Sequence, residues 1–125
     1  MECDECVFCK IIKGKIPSYT LYEDEIVKAF LDVNPDSNGH MLIIPKKHIL
    51  DLNEIDEDTF SHIMSIAKRY QLILEEKLGI DGLTLIQNNG MIQEVKHFHL
   101  HLKPYYKEKQ PLKEIKEIYS ILKES

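Results

Sequence analysis

The sequence predicts an α+β fold: a mainly antiparallel sheet with one long helix packed on it and a second helix near the C-terminus. Three observations predict it. Short apolar runs recur along the chain, bounded by Gly, Pro, Asn and Asp, as strands between turns are. Residues 59–78 repeat apolar side chains at three- and four-residue spacing, the period of a helix. The run His97-Phe98-His99-Leu100-His101-Leu102 alternates with period two, the signature of a strand. The 125 residues are one domain by length, with room for a small core.

The elements follow in order. Residues 6–13 predict a short helical turn, with Phe8, Ile11 and Ile12 apolar and Gly14 ending it. Residues 21–23 and 26–31 flank Asp24-Glu25 and read as a hairpin. Residues 34–39, Asn-Pro-Asp-Ser-Asn-Gly, are a loop by their turn residues. Residues 41–44 are a buried strand stopped by Pro45. In the long helix, Phe60, Ile63, Met64, Ala67, Tyr70, Leu74 and Leu78 form the apolar stripe. Asp56, Glu57 and Asp58 sit at its positive end, Gly79 stops it, and His62 falls among its solvent-facing positions. Residues 83–87 are a strand, Asn88-Asn89-Gly90 turns, and residues 95–102 are the histidine strand, ended by Pro104. After Pro111, Leu112, Ile115, Ile118, Tyr119 and Leu122 predict a second amphipathic helix.

Composition narrows the function. A formal net charge of −5 argues against a general nucleic-acid binder, which should be basic. An anionic small substrate remains compatible, because a site needs only local positive potential. No apolar run approaches a membrane span and no signal-peptide pattern opens the chain, so a cytoplasmic, reduced protein is expected. Three cysteines within the first nine residues do not make a disulfide framework.

In a strand, the three imidazoles share one face, about 7 Å apart, while Phe98, Leu100 and Leu102 enter the core. Such a row can supply a nucleophile, a proton donor or metal ligands near neutral pH. A surface stripe is the bland alternative; a tag remnant would be terminal and contiguous, and this run is neither.

HFHLHLK resembles the signature of the histidine triad (HIT) family, His-φ-His-φ-His-φ-φ with φ apolar; Lys103 departs from it at the last position. Residues 6–17, 29–35 and 39–48 resemble further blocks of the same family in the same order, closest to its small bacterial-type, Hint-like branch. The resemblance implies a meander sheet with the long helix packed on it, a HIT domain over residues 1–106, and residues 107–125 as a helical extension packed on that domain. It also implies a two-fold homodimer.

The resemblance further implies a nucleotide hydrolase. It would cleave nucleoside phosphoramidates or nucleotidyl anhydrides and release a purine nucleoside monophosphate. His99 maps to the nucleophile that forms a nucleotidyl-histidine, and His101 to the donor toward phosphate or leaving group. Asn88 and Gln93 map to phosphate contacts, and His40 to a supporting histidine, although a satisfied structural histidine fits it equally. Asp32 maps to the acid that accepts the ribose hydroxyls; a turn or cap aspartate before Pro35 is the lesser alternative. Phe8, Ile11, Leu31 and Leu42 map to the walls around the base, although on residue type alone they are core.

Cys6-Val7-Phe8-Cys9 is a Cys-x-x-Cys pair, a signal for zinc or redox chemistry. Its context lacks the strand and parallel-sheet pattern of a thioredoxin-like site. The resemblance joins Cys6 and Cys9 to His48 and His97 in a closed, structural zinc site. Empty, free thiols are the alternative, and Cys3 reads as an unpaired surface cysteine.

The pattern departs at residues 90–95, Gly-Met-Ile-Gln-Glu-Val. The loop is two residues shorter than the family's, lacks the glycine before Gln93, and has Glu94 where the family has a hydroxyl residue. A carboxylate facing phosphate repels it. This motivates the alternative reading, a catalytically weak nucleotide-binding module. A zinc-held adaptor is a third.

Overall fold

The computed structural model describes residues 6–123, so Cys3 lies outside the described residues. Its elements are helix α1 (Val7–Ile12), strands β1 (Thr20–Glu23), β2 (Val27–Leu31) and β3 (Met41–Pro45), helix α2 (Glu57–Leu78), strand β4 (Gly82–Ile86), a 3₁₀ turn (Gly90–Ile92), strand β5 (Leu100–Tyr105) and helix α3 (Ile115–Leu122). The five strands form one antiparallel sheet in the order β1-β2-β3-β5-β4. The meander therefore holds through β1, β2 and β3, and β5 then inserts between β3 and the edge strand β4.

Strand periodicity splits the core in two. Val27, Ala29, Leu31, Met41, Ile43, Phe98, Leu100 and Leu102 pack with α2 and α3 on one face. Phe30, Leu42 and Ile44 pack with Cys6, Phe8, Cys9 and Ile11 of α1 on the other. β2 and β3 are buried along their whole length, which is why β3 reads as a continuous apolar run and β2 as one interrupted by Lys28. The buried Lys28 reaches across to the Ile11 carbonyl at 3.2 Å, tying its charge to the negative end of α1.

Local chemistry sets the ends of the elements. The Asp24 carboxylate accepts from the Ile26 and Val27 amides, both at 2.8 Å, and closes the β1–β2 hairpin. Asp56 caps α2 by accepting from the Thr59 amide at 3.0 Å, so the helix starts at Glu57, two residues earlier than the apolar stripe suggests. Gly79 ends it in the left-handed conformation. Asn38 ties down the connection to α3: its Oδ1 accepts from the Lys113 amide at 2.8 Å and its Nδ2 donates to the Pro111 carbonyl at 3.1 Å. Gly39 beside it has φ +93°, and a Cβ there would meet Leu78 Cδ1 at 2.7 Å.

Three expectations need correction. The histidine strand does not span residues 95–102: β5 begins at Leu100 and runs through Pro104 to Tyr105. The register Ile43↔Leu100 would set Phe98 opposite Pro45, which has no N–H to give to the ladder. Phe98 N–H donates instead to the Ile49 carbonyl at 2.7 Å. Pro104 is tolerated because β3 begins at Met41, opposite Leu102, leaving no ladder partner beyond it on that side. Leu112 lies before α3 and is exposed. His62 is half-buried rather than solvent-facing, with Nε2 at 2.6 Å from the Asp24 carboxylate, which joins α2 to the hairpin.

Candidate functional site

On the α1 face of the sheet, a cavity of about 440 Å³ opens over β2, β3 and β5. Phe8, Ile11, Leu31 and Leu42 line it, together with Asp32, His40, Asn88, His99 and His101. The register places Leu42 between Phe30 and His101, so the apolar wall and the imidazole are neighbours across three strands. Phe8 packs edge-on against Phe30 at 5.8 Å and against His99 at 5.1 Å, which fixes the His99 ring plane.

Hydrogen bonds choose the tautomer of each imidazole. His99 Nδ1–H donates to the His97 carbonyl at 2.8 Å, which leaves Nε2 as the nitrogen with the free lone pair. His40 Nδ1 accepts from the Asp36 amide at 3.0 Å, so its proton is on Nε2. That Nε2–H donates to His101 Nδ1 at 3.0 Å, with the Asp32 carboxylate 3.5 Å away. His101 therefore carries its own proton on Nε2. The rings of His99 and His101 lie 5.0 Å apart, nearly perpendicular. The site thus sets a lone pair beside an N–H donor.

Burial first, then the neighbouring histidines and Lys103, push His101 down to about 4. Burial also lowers His40, against the pull of Asp32 and Asp36. Both rings are neutral at pH 7, which is the state the hydrogen-bond chain requires.

A second cluster lies at the N-terminus of α1. Cys6, Cys9, His48 and His97 bring one ligand atom each to within 4.8 Å of one another. Sγ of Cys9 is 3.1 Å from His48 Nδ1 and 3.6 Å from His97 Nδ1, and Sγ of Cys6 is 3.4 Å from His97 Nδ1. Zinc–sulfur and zinc–nitrogen bonds of about 2.3 and 2.0 Å in a tetrahedron put S and N about 3.5 Å apart. The donor set and its spacing fit that ion. His97 Nε2–H donates to the Pro45 carbonyl at 2.8 Å, which turns Nδ1 to the thiols and orients the ligand from outside. Burial holds His97 down at about 4, so it is neutral as a ligand must be.

Two expectations meet the loop of residues 90–95 differently. Gln93 does not line the cavity: it is buried, and its Nε2 donates to the Leu50 carbonyl at 2.6 Å while its Oε1 has no partner among the described residues. Glu94 does line the cavity, as do Val95, Asp36 and Lys103, none of which was singled out as a contact. Period-two spacing from His101 signals Lys103. No local sequence pattern signals Asp36, whose carboxylate is 2.7 Å from Lys103 Nζ.

Fold and site together define a small α+β protein with a largely apolar cavity in which the Asp32 carboxylate lies beside the hydrogen-bonded pair His40 and His101. The family model described as HIT domain matches residues 13–108. The chain belongs to the HIT family. It is 46% identical over 103 residues to an uncharacterized HIT-like protein of Methanocaldococcus jannaschii, covering 81% of this chain and 79% of that one. It is 46% identical over 109 residues to adenosine 5′-monophosphoramidase HNT1 of Saccharomyces cerevisiae, covering 86% of this chain and 66% of the yeast protein, just under two thirds of its length. Among solved structures, a Zn-bound histidine triad family protein from Mycobacterium smegmatis superimposes with TM-score 0.87 at 32% identity, over 96% of this chain and 91% of that one. A Hit-like protein from Bartonella henselae superimposes with TM-score 0.89 at 29% identity, over 99% and 98%. No helix among the described residues is long and apolar enough to cross a membrane.

Proposed function

We propose that this chain is a nucleotide hydrolase that cleaves nucleoside phosphoramidates or nucleotidyl anhydrides and releases a purine nucleoside monophosphate. One observation carries the reading: His99, with Nδ1 tied to a backbone carbonyl, offers Nε2 as a lone pair beside the Nε2–H of His101. The yeast relative's name, a monophosphoramidase, supports it.

The base stacks between Phe8, Ile11, Leu31 and Leu42, and Asp32 accepts the ribose hydroxyls. His99 Nε2 attacks the α-phosphorus and forms a P–N bond. The bond to the leaving group breaks, and His101 Nε2–H gives its proton to the departing atom. Water then attacks phosphorus, His101 takes its proton, and the P–N bond to His99 breaks. Asn88 donates to a non-bridging oxygen. His40 is a positioning residue, because it fixes the His101 tautomer.

Cys6, Cys9, His48 and His97 would hold a structural zinc ion that clamps α1 to the start of the histidine run. The zinc-bound mycobacterial neighbour supports this. We also propose a homodimer. β4 is an edge strand with Leu85 43% exposed, and Met91 and Ile92 follow it at 98% and 70%, an apolar edge that a second copy would cover. The extension expected after residue 106 is read as part of the same domain, a reading supported by the burial of Ile118 and Leu122 in the core that α2 shares. Neither nucleic acid nor membrane is part of this reading. The second reading, a catalytically weak binding module, is favoured by one observation: Glu94 lines the cavity.

The test is turnover of a fluorogenic adenosine phosphoramidate by wild type and His99→Ala, with AMP binding and zinc content measured on the same samples. Turnover lost only in the variant, with AMP still bound, is expected. AMP binding without turnover in either protein would select the binding module.

A further inference from the structure

One short helix serves two places in the molecule. Cys6 and Cys9 flank Phe8 along the chain: the thiols belong to the cysteine–histidine cluster, and the Phe8 ring belongs to the cavity wall. Cys6 is also the N-cap of α1, its Sγ accepting from the Cys9 amide at 3.5 Å. The Phe8 ring packs edge-on against His97 at 5.8 Å and against His99 at 5.1 Å. It therefore touches one member of the cluster and one imidazole of the cavity. Ile11, one turn on, lines the cavity with it.

α1 has 6 residues, and an isolated helix shorter than about 12 residues is marginal in water. Its neighbours hold it. They are the smaller core, in which Phe30, Leu42 and Ile44 pack on Cys6, Phe8, Cys9 and Ile11, and the Lys28 ammonium at the Ile11 carbonyl. The larger core, which α2 and α3 cover, contains no α1 residue among the described residues. A metal ion held by Cys6, Cys9, His48 and His97 would fasten α1 to the segments that follow β3 and precede β5. That clamp acts on the α1 face alone. Its loss would loosen α1 and the apolar wall while the α2–α3 face stays packed.

We propose that zinc occupancy of the cysteine–histidine cluster sets nucleotide affinity at the cavity, with α1 as the coupling element and Phe8 as its contact to both. This rests on the nucleotide reading of the cavity and on the zinc proposed above. Linkage between two binding events is reciprocal, so bound nucleotide tightens zinc retention by the same factor. The chain then holds its nucleotide well only where zinc is in supply.

The experiment measures AMP affinity by calorimetry on the zinc-loaded chain and on the same chain stripped by a chelator and dialysed, with hydrogen exchange followed on both samples. AMP is expected to bind about tenfold more weakly to the stripped chain, and added zinc to restore the affinity. Saturating AMP is expected to raise zinc affinity, read against a chromophoric chelator, by the same factor. On stripping, the Lys10 and Lys13 amides, bonded to the Cys6 and Cys9 carbonyls at 3.0 Å, are expected to lose protection while the α2 amides keep theirs. Phe8→Ala is expected to keep zinc, to weaken AMP binding in the loaded chain, and to bring the loaded-to-stripped affinity ratio close to one. Equal AMP affinity in loaded and stripped wild type, a chain that takes up no zinc, or a ratio that survives in Phe8→Ala overturns the proposal and leaves the nucleotide reading standing. Protection lost along the whole chain also overturns it, because the cluster then supports the entire fold. A zinc-loaded chain that binds no AMP overturns both.

Discussion

At one end of the histidine run, His97 commits Nε2 to the Pro45 carbonyl and turns Nδ1 to two thiols. Two residues on, His99 commits Nδ1 to the His97 carbonyl and keeps Nε2 for the cavity. His101 commits Nδ1 to His40 and keeps Nε2–H. The residue type is constant and the spacing is even, yet one ring joins the cysteine–histidine cluster and two line the cavity. The difference lies in which ring nitrogen the surroundings occupy. It also lies in the backbone, since His97 and His99 precede β5 while His101 is on it.

The sharpest way to break this comparison is to remove one ring from each end. His99→Ala is expected to lower turnover by about a thousandfold or more, because no other group supplies the lone pair, while AMP affinity changes only a few-fold. Equal turnover in variant and wild type would remove His99 from the chemistry. Cys9→Ser should act at the other end: a lower zinc content and a melting temperature about 10 °C or more below wild type, with a far smaller loss of turnover per folded molecule. Chelation of the wild type should give the same shift. A zinc-free protein that melts where wild type does would make the cluster incidental.

His40→Ala probes the tautomer chain. Without it, His101 can hold its proton on either nitrogen, and kcat is expected to fall about ten- to a hundredfold with KM little changed. His40→Gln, which restores a donor, should recover part of the loss. A loss confined to KM would make His40 a binding residue only.

The smallest effect is in pH. His101 is lowered from 6.5 to about 4 in the folded state, so between those values the unfolded chain binds more protons there than the folded one. Its contribution is fully present above pH 6.5 and is lost as pH falls toward 4. Melting temperature should therefore decline over that window, by less in His101→Asn than in wild type. A parallel decline in both would place the sensitivity elsewhere.

Much of this was legible in the chain. The α2 stripe, Asp56 and Gly79 specify a capped helix from local chemistry alone. The hairpin at Asp24 does the same, because its carboxylate bonds its own turn. Period two places His99, His101 and Lys103 together. Residue type selects the Cys6, Cys9, His48 and His97 set once the resemblance joins them, but nothing local brings residues so far apart in sequence together.

Tertiary structure decided the remainder. Where the histidine strand begins depends on Pro45 in another strand, which has no N–H to pair with Phe98. Gln93 and Glu94 are adjacent in a loop whose path is set by Leu50 and by the turn at Gly90, so their order alone does not say which reaches the cavity. Pro45 chooses the reactive nitrogen of His97 and His40 that of His101, both partners being distant in sequence, whereas His99 is set by the His97 carbonyl two residues before it and His40 by the Asp36 amide four residues before it. Periodicity and capping are short-range and written in adjacent residues; hydrogen-bond partners across a sheet exist only once the chain has closed on itself.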